Sequence, residues 1–418
     1  MMNMDVSLCT GCGTCAGICP QDIIEMRKYP KEGIYLPTFK SAGCNECKLC
    51  LNVCPGRSID FSKLNYFVFG NASNDTLLGN HIGCYIGHST YKMIQQNVSS
   101  GGLVTSLLIF ALENELIDGA IVTRMRKDRP LEPEVFIART SREIISAAGS
   151  KYCPVPVNTI IREVLTRNER FAIVGLPCHI QGIRKAEALN RKLRERLIFH
   201  LGLFCSHTVS FLGTEFLLEK MNVKNEDVVK LDYRGSGWPG GMTIKLKNGS
   251  KRFLPHFSYW NPFFGPAFFT PVRCLACSDG TNELSDISFG DAWLQELMSG
   301  HVGKSLIITR SEIGEQLLQE ATLKKIVKIV RVSDSKLIRA QKGMLLYKKK
   351  KLTARISALK SLGKQVPLIN SKLLKSSPLD YLRVLPTCLA ISIFPKQILS
   401  GQLRRIPLPI LVSILNLL

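Results

Sequence analysis

The sequence predicts two unlike units in one chain: a small α+β unit over residues 1–65, then an α/β domain with a mixed sheet over residues 80–335. Two observations predict this. Of fifteen cysteines, eight fall in two dense runs, "CTGCGTCAGICP" (9–20) and "CNECKLCLNVCP" (44–55). Beyond residue 80, short apolar runs alternate with helical patterns, as layered strands and helices require. A third observation marks off residues 336–418, which carry sixteen Lys and Arg against one acid, Asp380. Most of the net charge of +22 therefore lies in this basic amphipathic tail and says little about the body.

The chain of 418 residues exceeds what one core usually serves, and 45% hydrophobic residues supply a large interior. Residues 1–8 lack an apolar run of signal-peptide length. No stretch reaches the roughly eighteen uninterrupted apolar residues of a membrane span. The expectation is a cytoplasmic chain whose thiols bind metal instead of pairing as disulfides.

Both cysteine runs read C-x2-C-x2-C-x3-C-P. Three cysteines at this spacing wrap one face of a cubane cluster, and the fourth leaves on a short helix to ligate the other cluster. Cys9, Cys12, Cys15 and Cys54 are thus assigned to one [4Fe-4S] cluster, and Cys44, Cys47, Cys50 and Cys19 to a second. Pro20 and Pro55, with no N–H to donate, suit a turn beside each cluster. Gly11, Gly13 and Gly43 are expected to relieve crowding against inorganic sulfide. Zinc sites also use four thiolates, but as paired C-x2-C knuckles. Over residues 1–60 the chain resembles the bacterial two-cluster ferredoxin.

In the body, "SGGLVTSLLIFALENELIDG" (100–119) reads as a helix stopped by a glycine, with "AIVTRM" the strand after it. "FAIVG" (171–175) and "LIFHLGLF" (197–204) suit buried strands. "TIKLKNGSKRFL" is a hairpin turning at Asn248–Gly249, and "KSLIITRSEIGEQLLQEA" a strand and a capped helix. Cys178 and Cys205 lie just past two of these strands. If those strands are parallel neighbours, both thiols emerge at the carboxyl rim of the sheet, where α/β folds bind ligands. "CLAC" adds Cys274 and Cys277. Spacing alone leaves two readings: a third cluster on these four thiols, or two core cysteines beside half a zinc knuckle. Likewise "NVSSGGLVTSLL" (97–108) reads either as an anion cradle at a helix start or as a plain cap. "RGSGWPGGM" (234–242) is too glycine-rich for a strand interior and reads as a loop near the site.

Taken in order, "NVSSGGLVTSLL", "AAGSKYCP", "GLPCHIQGIRK", "GLFCSH", "YRGSGWPGGM" and "CLACSDGTNELSDISFGDAW" resemble the coenzyme F420 hydrogenase/dehydrogenase beta-subunit family over residues 81–310. The resemblance implies an α+β ferredoxin-like N-terminal domain followed by an α/β flavin-binding domain with a mixed sheet. It implies FAD, touched by Asn97, Ser99, Ser100, Gly101 and Gly102, with Lys151 and Tyr152 also placed at flavin or substrate. It implies a third [4Fe-4S] cluster on Cys178, Cys205, Cys274 and Cys277. Lys151 and Asp291 are the candidate catalytic groups at the flavin rim. His179, where many relatives carry Gln, and Cys153, where Ser is usual, break no ligand set but leave the substrate open.

The implied activity couples hydride transfer at FAD, with reduced coenzyme F420, to one-electron transfer through the clusters and on to a protein donor or acceptor. The rivals are a ferredoxin-dependent reductase of an organic substrate and a non-enzymatic electron-transfer module. His256 reads as structural, and Cys84 and Cys388 as plain buried or tail thiols. In the tail, Leu345, Leu352, Ile356 and Leu359 fall on one helical face with Lys opposite. That pattern suits a membrane surface or an acidic partner, unless the tail packs on its own body. No reader motif points to nucleic acid.

Overall fold

The computed structural model describes residues 6–40, 43–73, 75–300 and 302–399. In the N-terminal unit, β1 (Ile24–Tyr29) and β2 (Ile34–Phe39) form an antiparallel hairpin with Ile24 opposite Phe39. Two short helices, Thr14–Ile18 and Leu49–Asn52, carry the ends of the cysteine runs. β3 (Ser58–Asp60) leads into the helix Phe61–Phe69, which Asp60 caps by accepting from the Lys63 N–H at 3.0 Å.

The body begins with β4 (Gly83–Ser89), β5 (Gly119–Met125), β6 (Pro133–Ala138), β7 (Phe171–Gly175) and β8 (Leu197–Leu203). A separate antiparallel sheet follows, of β9 (Val228–Gly235), β10 (Gly241–Leu246) and β11 (Lys251–Pro255). Its β10–β11 hairpin turns at Asn248–Gly249 as predicted, with Gly249 at φ 79°. β12 (Ile287–Asp291), β13 (Ser305–Thr309) and β14 (Val327–Arg331) return to the large sheet, and β15 (Leu368–Asn370) closes the strand series. The large sheet has the order β14-β4-β13-β12-β8-β7-β5-β6. Its centre, β12-β8-β7-β5, is parallel and its flanks are antiparallel, so the sheet is mixed as predicted. Phe171, Ala172 and Ile173 are wholly buried, which explains why central strands read as unbroken apolar runs.

Two sequence expectations need correction. The helix predicted to run to Gly119 is Leu103–Glu113. Asn114 ends it by donating Nδ2 to Phe110 O at 2.8 Å, and Glu115 adopts a φ of 54°. The Leu116 N–H then folds back on Ala111 O at 2.9 Å. The second correction concerns the tail, which is not one helix with its lysines outside. Asp334–Ala340, Lys342–Leu345, Leu346–Lys350 and Leu352–Ser361 are separate helical pieces. Lys348 and Lys349 stand three and four residues after Leu345 and four and three before Leu352, so they share the leucine face and are buried with Leu345, Leu352 and Leu359, while Lys350 is exposed. Arg355 is fully buried and donates to Leu275 O at 2.7 Å. β15 pairs in parallel with β3, and the helix Pro378–Leu399 packs on Leu352–Ser361. The tail is therefore a strap over the body and the N-terminal unit. "IPLPILVSILNLL" (406–418) lies outside the described residues. Among those described, no helix is long and apolar enough to cross a membrane.

The N-terminal unit docks flush on the body. At Gly13 (φ 83°) a Cβ would fall 2.8 Å from Thr159 Cγ2, and at Gly17 it would collide with Asn158 O. Gly13 thus makes room for the body where the sequence suggested sulfide. Asn158 pins the interface: its N–H donates to Cys12 O at 2.9 Å, and its Nδ2 donates to Thr14 Oγ1 and His179 O, each at 2.8 Å. Arg273 adds donations to Gly56 O (3.0 Å) and Pro55 O (2.9 Å).

Candidate iron–sulfur and flavin site

Cys9, Cys12, Cys15 and Cys54 come together as one set. Burial pushes the Cys9 thiol up to about 12, and Cys12 and Cys54 beside it push the same way. Burial raises Cys15 well above its ordinary value, with Cys12, Cys9 and Cys54 adding to it. Cys54 has therefore crossed from the second run into the first set, as the spacing predicted. Cys19, Cys44, Cys47 and Cys50 line one cavity with Ile23, Ile24 and Phe39. Burial raises the Cys50 thiol, and Cys47, Cys19 and Cys44 raise it further. Four thiols packed this closely repel one another once deprotonated unless a cationic core neutralises them. That is the donor set of a cubane cluster.

The body brings Cys178, Cys205, Cys274 and Cys277 to one place. β7 and β8 are parallel neighbours, with Val174 opposite Leu201. Cys178 lies at the start of the helix Pro177–Glu187, directly after β7, and Cys205 follows β8 with its N–H on Gly280 O at 2.9 Å. Burial raises the Cys178 thiol well above its usual value, and Cys12, Cys205, Cys274 and Cys277 add to it. The presence of Cys12 in that group makes the first and third thiol sets neighbours. Cys277 behaves differently. Burial pushes its thiol up, but Lys348 and Arg273 outweigh burial and hold it below its ordinary value.

Lys348 is a residue that the sequence reading placed on the wrong face. It is 1% exposed, and the thiols of Cys277, Cys205 and Cys274 overcome the burial that would discharge its ammonium. The KKKK run shows that charge is present, and its spacing from Leu345 and Leu352 turns Lys348 and Lys349 inward while Lys350 stays exposed. A buried network holds the frame behind these thiols. His200 meets Asp286 at 2.9 Å and Glu187 at 2.7 Å, and Arg184 meets Glu187 at 3.1 Å and Asp286 at 3.2 Å. It ties the helix that carries Cys178 to β8, which leads to Cys205.

The residues assigned to flavin divide into two groups. Ser99 accepts from the Ser150 N–H at 2.8 Å and donates to Arg234 O at 3.3 Å. Ser100 donates to Lys304 O at 3.1 Å. The Arg234 guanidinium pairs with Asp291 at 2.5 Å and lies against Trp238 and Trp293, 5.2 and 5.4 Å from their rings. Those two indoles stack at 4.8 Å. Tyr152 packs on Trp260 at 5.0 Å, and Arg234 partly offsets the burial that raises its phenol. Within this group, Arg234 Nη2 and Trp238 Nε1 are buried donors without an acceptor. Ser99, Tyr152 and Asp291 therefore converge around Arg234 and Trp238, both within the stretch 234–242 expected near the site, and around Trp293.

The other group makes contacts within the fold. Asn97 is exposed, with Nδ2 turned onto Met93 O at 2.8 Å. The Gly101 N–H donates to Ser305 Oγ at 3.0 Å, and a Cβ there would fall 2.6 Å from Gly87 O. Gly102 holds a φ of 76° to open the helix Leu103–Glu113. Lys151, read as a candidate catalytic group, donates Nζ to the carbonyls of Ala147, Ala148 and Gly149 at 2.5, 3.0 and 2.9 Å. Burial lowers its ammonium to about 8. Three donors on three carbonyls make it a cap on the end of the helix Ser141–Ser146. His256 stacks between Trp260 and Trp293 at 5.5 and 5.8 Å, matching its structural reading.

Comparison with known proteins fits this geometry. Residues 8–57 match the 4Fe-4S dicluster domain. Residues 84–162 match the N-terminal part, and residues 168–335 the C-terminal part, of the coenzyme F420 hydrogenase/dehydrogenase beta subunit, together more than half of the chain. A coenzyme F420 hydrogenase subunit beta from Methanothermobacter thermautotrophicus is 27% identical over 70% of this chain and 99% of its own length. The coenzyme F420-dependent sulfite reductase of Methanocaldococcus jannaschii is 25% identical over 77% of this chain but only 47% of its own length. A chain of the F420-reducing [NiFe] hydrogenase complex from Methanosarcina barkeri shares the fold, with a TM-score of 0.55 at 23% identity, covering 70% of this chain and 97% of that one. The chain is an iron–sulfur protein with a 4Fe-4S dicluster unit, and it belongs to the coenzyme F420 hydrogenase/dehydrogenase beta-subunit family.

Proposed function

We propose that this chain is an oxidoreductase that couples hydride exchange at FAD, with coenzyme F420 as the small partner, to one-electron transfer through three [4Fe-4S] clusters. One observation carries the reading: three sets of four thiols, the first and third adjacent through Cys12 and Cys178, in a chain of this family. When bound, a flavin exchanges two electrons as hydride and single electrons with a cluster. The residues present fit both groups. Cys178, Cys205, Cys274 and Cys277 hold the third cluster, and the buried Lys348 ammonium offsets its negative charge. Ser99, Ser100, Tyr152, Arg234 and Trp238 hold the flavin, whose heteroatoms satisfy the orphan donors Arg234 Nη2 and Trp238 Nε1. Asp291 orients Arg234. Lys151 acts as a positioning residue, fixing the turn that aims the Ser150 N–H at Ser99. Cys47 is exposed, so the protein donor or acceptor docks at the second thiol set.

Anaerobic protein is expected to carry about twelve irons and one FAD. In stopped-flow mixing, reduced coenzyme F420 should bleach the flavin absorbance first and the iron–sulfur absorbance after it. Reduction by reduced ferredoxin alone, with the coenzyme inert at every concentration, would replace this reading with a ferredoxin-dependent reductase of another substrate.

A further inference from the structure

At the start of β4, outside the three thiol sets, a different group of donors meets. His81, Cys84 and Asp334 each offer one ligand atom, and the three atoms lie within 4.8 Å of one another. His81 and Cys84 sit at the mouth of β4, and Asp334 opens the helix after β14. The Val332 N–H donates to Cys84 O at 2.9 Å, which registers the two segments. The His81 ring is held at both nitrogens: Nδ1 lies 2.9 Å from Gly79 O, a contact that metal-bound histidines commonly make through their other nitrogen, and Nε2 lies 3.2 Å from Asp334 Oδ2, where an ion would replace the proton shared with the carboxylate. Two metal–ligand bonds of about 2.0–2.1 Å at a tetrahedral angle place their donor atoms about 3.3 Å apart. Cys84 closes the inner side at 2% exposure, while Asp334 leaves the outer side open to solvent. Arg310 stands near but is occupied, donating to Leu78 O, Asn80 O and Thr281 O. Asp75, the other charge in reach, accepts from the Leu77 and Leu78 N–H groups.

We propose that His81, Cys84 and Asp334 bind one zinc-class divalent cation, with solvent as the fourth ligand. A mixed sulfur, imidazole and carboxylate set with one open position selects such an ion over magnesium or calcium, which take oxygen alone. On binding, the Cys84 thiol releases its proton to solvent and its sulfur joins the ion. The ion ties edge strand β14 and its following helix to β4. Ser99 to Gly101 lie at the other end of β4, with the Ser89 N–H on Gly101 O at 2.7 Å, so the clip is separate from the flavin region.

The test adds one equivalent of zinc to the cluster-loaded full chain, desalts it, and measures bound zinc and iron together. Zinc-edge X-ray absorption then reads the ligand shell. The expected result is about one retained zinc per chain, unchanged iron, and a shell with one sulfur at about 2.3 Å and the rest nitrogen or oxygen. His81→Ala and Asp334→Ala, both on partly exposed side chains, should each weaken zinc retention at least tenfold while keeping iron and helical content. Cys84→Ser should remove the sulfur from the shell. Zinc that is not retained by the parent chain, retention unchanged in His81→Ala, or a shell of several sulfurs with loss of iron would each overturn the proposal.

Discussion

The first eight cysteines and the last four reach their positions in unlike ways. Eight come from two short runs, and one short helix in each run carries the fourth thiol across to the other set. The remaining four come from three segments between Cys178 and Cys277, and they meet only after β7, β8 and the helical turn Val272–Leu275 have packed. Their buried cation, Lys348, comes from farther still. A metal site written into one stretch of sequence depends on that stretch. A site assembled across the fold depends on every element that carries a ligand, and on the strap that carries its countercharge.

The sharpest way to break this comparison is Cys277→Ser. It should lower iron by about four per chain and leave the coupled paramagnetic resonance signal of the N-terminal pair intact. Unchanged iron would remove Cys277 from the ligand set. Gly101→Val comes next. The added side chain collides with the carbonyl of Gly87, so it should cost about 2–3 kcal/mol of stability, seen as a lower unfolding midpoint. A variant of parent stability that has lost its flavin would restore the anion-cradle reading of this segment. Asn158→Ala probes where the two kinds of site touch. It removes the donor to His179 O and one of two partners of the Thr14 hydroxyl, which Cys12 Sγ still meets at 3.2 Å, and should cost about 1–3 kcal/mol. Proteolysis near residues 156–160 should quicken. The mildest change is Lys348→Met. Reduction adds negative charge, so removing a buried cation should lower the midpoint potential of the third set by on the order of 50 mV, roughly one kcal/mol for a one-electron couple. The N-terminal pair should keep its potentials. An equal shift in all three sets would mean that Lys348 does not act locally.

What the sequence disclosed followed the same division. Cys54 and Cys19 could be assigned to opposite sets because the crossing is a property of the repeat itself. The β10–β11 hairpin was legible from Asn248–Gly249, and the carboxyl rim from two apolar runs that each end near a cysteine. The stop at Asn114–Glu115 was not, because a polar pair inside a helical pattern signals no break until its side chain turns back on Phe110 O. The stretch 234–242 and Asp291 could each be placed near the site, but nothing there showed that Arg234, on the last residues of β9 instead of in a loop, pairs with Asp291 between the Trp238 and Trp293 rings. Lys348 was hidden for a subtler reason. Counting three and four residues from Leu345 puts Lys348 and Lys349 on the leucine face, but a run of four lysines reads as one solvated stripe and masks the two that fall inward.

The pairing of β3 with β15 has a consequence in time. Among the described residues β3 has no other strand partner, and Leu368, which meets Ser58, is made 310 residues after it. At about 5–20 residues per second, the ribosome takes roughly 15–60 s to cover that distance. For most of this interval, once the chain has grown by some tens of residues, both cysteine runs are outside while the edge beside them stays open. Loading of the first two clusters and closure of the strap thus become ordered events of biosynthesis, and a pause in translation before residue 366 lengthens the window for the first at the expense of the second.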